Sequence, residues 1–370
     1  MPKAQETVLE INLSDLANNF HYLKSKLSQG TKFLAVVKAF AYGSEANEIA
    51  KKLQDLNVDY FAVAYCSEGI ALRKAGITKP ILVLHPQPIN FKLLIDNCLE
   101  PSLYNAKVLN AFIDIASANG QTDYPVHIKF NTGLNRLGFW ENDVDYVLSK
   151  IKGITTVKVA SIFSHLAASE DPNELEFTHS QISKFKEISR NFIDELEYKP
   201  MLHMSNTSGV LNYPEAHFDM VRCGIGLYGF GNSEKENKNL RPIATLKSVI
   251  SQIHLIEKGE SVGYNRAYTS TGLMEKTATI PIGHADGIGR QYGNGHGYVI
   301  IQGKKAPIIG NVCMDMIMVN ITDIDCREGD EVVVFGKNNT AEQLAARTNS
   351  ISYELITAIS QRVKRLFIVD

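Results

Sequence analysis

The sequence predicts an α/β plus β protein: an N-terminal (β/α)8 TIM-like barrel followed by a C-terminal, mostly antiparallel β domain. Three observations predict it. From Phe33 onward a short apolar strand, a turn and an amphipathic helix recur, giving about eight strands at roughly 25–35-residue spacing. After about Asn232 the pattern changes to short β-rich runs separated by turn residues. Neither a Gly-x-Gly-x-x-Gly turn nor a Walker loop follows the first strand, which argues against a doubly wound sheet. The division falls at residues 1–235 and 236–370, and 370 residues with 44% apolar content suffice for two such units.

Val8–Leu13 alternates as a strand, expected to pack with the C-terminal domain, and Ser14 or Asp15 caps a helix to about Leu27. Phe33–Val37 is an apolar, β-branched run, as in a strand buried on both faces. Helix Ser44–Leu56 leads to strand Tyr60–Tyr65, and helix Ser67–Lys74 to strand Pro80–Leu84. Helix Ile89–Asn97 leads to a weak strand near Leu99–Leu103, and helix Ala106–Ala118 to strand Val126–Phe130. Helix Asn142–Ile151 leads to strand Val157–Phe163, and the long helix Glu174–Leu196 to strand Met201–Met204; Phe218–Cys223 is the last barrel strand. The polar stretch Ser233–Asn239 reads as a linker. The β runs beyond it are Ala244–Leu255, Thr277–Ile282, Gly297–Ile301, Ala306–Ile309, Met316–Asn320 and Glu331–Phe335, with a helix over about Thr340–Thr348.

Composition excludes several classes. Charged residues make up 21% and the formal net charge is −2, so no basic excess points to nucleic acid or to an anionic membrane. The N-terminus lacks an apolar signal-peptide core, and no run approaches the ~20 apolar residues of a membrane span. Cys66, Cys98, Cys223, Cys313 and Cys326 are scattered and odd in number. They read as reduced thiols of a cytoplasmic protein rather than a disulfide frame or a zinc site.

In a barrel, chemistry sits where strands end. Lys38 and Tyr42 follow the first strand, Lys129, Asn131 and Arg136 the fifth, and Ser164-His165 the sixth. His203 and Ser205–Ser208 follow the seventh, and Arg222 with Gly224-Ile225-Gly226 the last. Lys38 alone has two readings: a strand-ending lysine that snorkels to water, or a partly desolvated amine able to form a Schiff base. So many polar groups on one rim favour the second, since each is unfavourable beside apolar runs unless it has partners. Asn206-Thr207-Ser208 and Gly224-Ile225-Gly226 bring hydroxyls and open backbone N–H groups to the last two strands, where barrels commonly bind phosphate. A lysine on the first strand and an arginine on the last then fit pyridoxal 5'-phosphate.

Val37-Lys38-Ala39-Phe40-Ala41-Tyr42-Gly43 resembles the cofactor-attachment motif of the alanine racemases. So do Lys129–Gly138, His203–Thr207, Val221–Gly229, Val262–Asn265, Pro281–Gly287, Cys313–Asp315 and Ile351–Glu354, collinear along the chain. The resemblance implies a fold-type III pyridoxal-phosphate enzyme, working as a head-to-tail homodimer and supplying D-alanine for peptidoglycan. It implies that Lys38 binds the cofactor and handles the α-proton of the D-enantiomer. Tyr264, from the partner subunit, serves the L-enantiomer on the opposite face. Tyr42, Asn206, Thr207, Tyr353 and the backbone of Gly224 and Ile225 surround the phosphate in this reading. Arg222 meets the ring nitrogen and His165 orients it; Arg136 and the main chain of Met314 hold the substrate carboxylate. Lys129 matches a lysine that is carbamylated in several members. Tyr264 and Tyr353 are two of fifteen tyrosines, and the motifs alone single them out.

Three positions depart from the family pattern. Phe40 replaces asparagine, removing a polar contact beside the attachment lysine; His284 replaces tyrosine and Asn311 replaces arginine, both at the substrate entrance. A broader-specificity amino-acid racemase is therefore the alternative, and a non-catalytic pyridoxal-phosphate carrier a weaker one, since a carrier needs no second base.

Overall fold

The computed structural model describes residues 4–369. Its first half is laid out by strands that are apolar at nearly every position. β1 (Val8–Asn12) opens the chain, followed by the barrel strands β2 (Lys32–Val36), β3 (Tyr60–Val63), β4 (Ile81–Val83) and β5 (Glu100–Leu103). β6 (Tyr124–Lys129), β7 (Val157–Phe163), β8 (Met201–His203) and β9 (Met220–Cys223) complete the set. All pairings among β2–β9 are parallel, in the order β8-β7-β6-β5-β4-β3-β2-β9. The two ends meet: Arg222 N–H donates to the Ser205 carbonyl and Asp219 N–H to that of Leu202, each at 3.0 Å, closing an eight-stranded barrel. Helices on the outside cover it, with apolar stripes such as Val108, Leu109, Phe112 and Ala116 of helix Ala106–Ala118 facing inward.

The β domain is built on β1 and on β10 (Ala244–Val249), β11 (Gln252–Glu257), β14 (Met274–Ile280), β15 (Tyr298–Ile301) and β16 (Lys304–Ile309). β17 (Ile317–Asn320), β18 (Glu331–Phe335) and β19 (Lys364–Ile368) join them. They form one sheet in the order β11-β14-β17-β16-β15-β18-β10-β1-β19, antiparallel except where β1 meets β19. A separate two-stranded ribbon, β12 (Ser261–Val262) and β13 (Tyr268–Thr269), carries the Tyr264 turn. β10 alternates buried and half-buried positions, the signature of a sheet with one face on a core. β1 thus begins the chain but belongs to the sheet of the second half.

Expected and observed elements differ mostly at their ends. Helix Glu174–Leu196 runs only over Leu175–Ile193, and the final barrel strand starts at Met220. The apolar run Ala244–Leu255 is two strands: Ile250, between them, exchanges backbone hydrogen bonds with Gly329 and Asp330, which breaks the strand. Helix Thr340–Thr348 shortens to Ala341–Ala346, capped by the Thr340 hydroxyl. Helices Thr207–Asn212 and Ser352–Ala358 and strand β19 were not expected. No helix among the described residues is long and apolar enough to cross a membrane. The five cysteines form no disulfide.

Candidate active site

Lys38 stands two residues beyond the C-terminal end of β2 and leads into an unusual turn. Ala39, Phe40, Ala41 and Tyr42 all have φ between 50° and 56°, a left-handed path with no glycine in it. Such a turn sets each Cβ against a carbonyl, at roughly 1–2 kcal/mol per residue, so tertiary contacts must hold it. They are present. Glu68 Oε1 accepts the Ala39 N–H at 2.6 Å, and the ring of Tyr42 stacks on that of Tyr228 at 4.4 Å. Gly43 ends the turn at φ 83°, where a Cβ would meet the Ile356 carbonyl oxygen at 2.1 Å. The Phe40 ring takes the Arg365 guanidinium at 5.4 Å.

Lys38 faces a cavity of about 690 Å³ at the C-terminal end of the barrel. The structure brings to it Tyr42, Lys129, Arg136, His165, Asn206, Thr207, Arg222, Gly224, Ile225 and Tyr353. Ala64, Leu84, His85, Phe163 and Asn232 also line it and carried no sequence signal. Tyr264, Met314, His284 and Asn311 do not. Tyr264 and Met314 lie on a separate hollow of about 430 Å³ on the β domain, and Tyr264 is 70% exposed. His284 is exposed. Asn311 donates from Nδ2 to the Tyr264 carbonyl at 3.1 Å, so it braces the turn that presents this tyrosine.

The cavity is electropositive. None of Lys38, Lys129, Arg136 and Arg222 is in ion-pair distance of a carboxylate among the described residues. Burial lowers the Lys38 pKa, with Arg136 acting in the same direction. Burial, then Arg222, Arg136 and Lys38, bring Lys129 down to about 7. Arg222 is depressed by burial and by Arg136, but only to about 9, so its guanidinium stays charged at neutral pH. Its Nη1 donates to His203 Nδ1 at 2.6 Å, and Nη2 to the Ser164 carbonyl at 2.7 Å and His165 Nδ1 at 2.9 Å. Its Nε–H has no acceptor among the described residues. The His203 contact had no signal in the sequence; by motif alone His203 is more readily a satisfied structural histidine, and it is satisfied by Arg222.

At the other end, Asn206 Oδ1 caps helix Thr207–Asn212 by accepting the Gly209 N–H at 2.8 Å. Thr207 Oγ1 accepts the Gly226 N–H at 3.3 Å. Gly224 is required here: a Cβ would lie 2.3 Å from the Tyr42 hydroxyl. Burial raises the phenol pKa of Tyr42 and pushes that of Tyr353 up to about 12, so both remain neutral donors. An unpaired amine, an orphaned guanidinium N–H and a glycine-lined cradle of hydroxyls fit pyridoxal 5'-phosphate.

Barrel, β domain and this site define the class as a fold-type III pyridoxal-phosphate enzyme. Residues 11–231 match the alanine racemase N-terminal domain and residues 243–367 the alanine racemase C-terminal domain. The chain is 37% identical over 369 residues to the alanine racemase of Thermodesulfovibrio yellowstonii, covering 98% of this chain and 97% of that one. It is 34% identical over 373 residues to that of Methanococcus maripaludis, covering 97% and 98%. It superposes on the solved alanine racemase of Clostridium difficile 630 with a TM-score of 0.93 at 36% identity, covering 100% of this chain and 97% of that one. That enzyme is also solved in complex with cycloserine. The chain belongs to the alanine racemase family.

Proposed function

We propose that the protein interconverts L-alanine and D-alanine with pyridoxal 5'-phosphate, in the cytoplasm, and supplies D-alanine for peptidoglycan. The observation that carries this reading is the cluster of four basic side chains, Lys38, Lys129, Arg136 and Arg222, on one cavity without a carboxylate partner. Basic groups gathered on one cavity, Lys129 and Arg222 among them buried, favour an entering anion, and a cofactor phosphate and a substrate carboxylate supply it. Residues 1–235 form the cofactor-binding unit and residues 236–370 the unit that carries the second base.

Bound there, pyridoxal phosphate would be held by the Lys38 amine through its aldehyde and would supply an electron-withdrawing ring. Tyr42, Tyr353, Thr207 and the backbone at Gly224 and Ile225 hold the phosphate, and Asn206 fixes the helix end beside it. Arg222 presents Nε–H to the ring nitrogen, held by His165. A guanidinium only donates and keeps its proton, so Arg222 would hold that nitrogen by a hydrogen bond without protonating it. Arg136 and the Met314 N–H bind the substrate carboxylate. Lys129 is the position open to carbamylation: with a pKa near 7 much of its amine is neutral and able to add CO2.

Lys38 moves the proton on the face of the D-enantiomer and Tyr264 on that of the L-enantiomer. Within one copy the two are on different hollows, so a head-to-tail homodimer completes the site with Tyr264 from a second copy. His284, exposed and not tyrosine, and Asn311, spent on the Tyr264 backbone, leave a wider entrance that admits serine beside alanine. Kinetics on serine, lysine and arginine separate an alanine enzyme from a broader racemase.

One incubation with pyridoxal phosphate and L-alanine in D2O tests the reading. Deuterium at Cα together with approach to equal D- and L-alanine establishes racemisation. Deuterium without D-alanine means one working base, and neither signal sinks the proposal.

A further inference from the structure

Barrel interiors are ordinarily packed with branched apolar side chains; this one contains a continuous polar chain. Arg222 on β9 donates from Nη1 to His203 Nδ1 at 2.6 Å, and His203 Nε2 lies 2.8 Å from Ser161 Oγ. Ser161 Oγ lies 2.6 Å from His127 Nδ1, and His127 Nε2 2.7 Å from Glu100 Oε2. The five residues stand on β9, β8, β7, β6 and β5, neighbours around the barrel. His203, Ser161 and His127 are fully buried, Arg222 is 4% exposed and Glu100 8%.

The chemistry at the two ends sets every proton between them. A guanidinium only donates, so His203 Nδ1 accepts and carries no proton. Its proton is on Nε2 and goes to Ser161 Oγ. The hydroxyl then turns its own hydrogen to His127 Nδ1. His127 therefore carries its proton on Nε2 and donates it to Glu100, and an ionised carboxylate only accepts. All donors point one way, so the bonds polarise one another. Burial and the Arg222 charge hold the His203 pKa well below the usual range, in keeping with a neutral ring there. Arg222 has no carboxylate in contact; the nearest charge along the chain is at its far end.

We infer that Glu100, His127 and Ser161 are positioning residues for Arg222. They lock His203 as an acceptor, and a locked His203, together with His165 and the carbonyls of Ser164 and Met204, holds the guanidinium with Nε–H turned to the cavity. Glu100 supplies a remote counter-charge that leaves Arg222 undivided for the ligand. The role toward the ligand rests on the assignment of Arg222 to the ring nitrogen; the direction of the protons does not.

Full-length protein labelled with 15N-histidine tests it. The ring-nitrogen spectrum should show His203 and His127 both neutral, with the proton on Nε2. A proton on Nδ1 of either ring, or a doubly protonated His127, overturns the inference. Pyridoxal phosphate affinity is then measured for Glu100→Gln, Ser161→Ala and the double variant. Each single change should weaken it about 5–10-fold, and the double variant should match Ser161→Ala within about twofold, because the interrupted chain no longer transmits the charge. Additive losses, which a merely structural role would give, or unchanged affinity in both single variants, overturn it. Should Ser161→Ala fail to fold, the wild-type spectrum and the Glu100→Gln affinity decide. No step uses alanine, so failure of the racemase reading would appear in the D2O experiment and leave these signals unmoved.

Discussion

Arg365 donates from Nε and Nη2 to the carbonyl of Gly43, at 3.1 and 2.9 Å, and so ties the last strand of the β domain to the turn beyond Lys38. The same guanidinium also donates to the carbonyls of Ile359, Ser360 and Val363. One side chain therefore satisfies four carbonyls and stacks on Phe40. Arg365→Ala leaves them without a partner and is expected to lower stability by roughly 3 kcal/mol. It should also weaken cofactor binding, because the turn carrying Lys38 loses its brace. Arg365→Lys, with one compact ammonium, should recover only part of both. Thermal unfolding and a cofactor titration check this; an unchanged melting temperature would refute the bracing role.

Phe40 presents the opposite case, a residue in conflict with its backbone. At φ 56° a bulky aromatic is disfavoured, whereas asparagine is several-fold enriched there. Phe40→Asn gives up the contact with Arg365, worth about 0.5–1 kcal/mol at a half-exposed site. It gains relief of a left-handed penalty of about 1–2 kcal/mol. The expected outcome is a small rise in melting temperature with kcat for racemisation unchanged. A fall would mean that the Arg365–Phe40 stack outweighs the strain.

The barrel was legible because each of its strands is a short apolar run set off by turns, and parallel strands buried on both faces leave that mark. Lys38, Arg222 and the Thr207 cradle were legible because strand ends are where a barrel places chemistry. The left-handed turn was not: Ala-Phe-Ala-Tyr contains none of the residues that favour positive φ, and Glu68, Arg365 and Tyr228 hold it from far along the chain. The Glu100–His127–Ser161–His203 chain was hidden for a related reason. Each residue is one polar side chain in a different strand, and only barrel closure puts them in register. Ends of elements were missed where a cap or a distant backbone partner, such as Thr340 or Asp330, decides them.

Lys129 should leave a signature in the pH dependence of stability of the cofactor-free protein. Its pKa is 10.5 in the unfolded reference and about 7 in the fold. The unfolded chain thus binds more protons between these values, and stability rises with pH across that window. The contribution is present in full above 10.5, is lost as pH falls through 7, and is flat below. Lys129→Met removes the group, so the difference in melting temperature between wild type and variant should shift toward the wild type from pH 7 to pH 10. A carbamate on Lys129 would steepen the same slope at the low end, since acid releases CO2 and restores the buried cation. A difference that does not change with pH would contradict the depressed pKa.

Tyr264 offers the sharpest separation of roles. Within one copy its phenol is exposed on the β domain while Lys38 lies in the barrel cavity. If they serve opposite faces of one substrate, Tyr264→Phe should suppress exchange of the L-alanine α-proton far more than that of D-alanine, measured as deuterium wash-in over a single turnover. Asn311 extends the argument. Its amide holds the Tyr264 carbonyl at 3.1 Å, and displacing a catalytic group by about 1 Å can reduce rate on the order of 100-fold. Asn311→Ala should therefore reproduce the L-face defect in milder form, roughly 3–10-fold, with D-face exchange near wild type. Equal losses on both faces in Tyr264→Phe would sink the two-base assignment. Equal losses in Asn311→Ala alone would place that amide at the entrance, acting on substrate passage, and not behind the tyrosine.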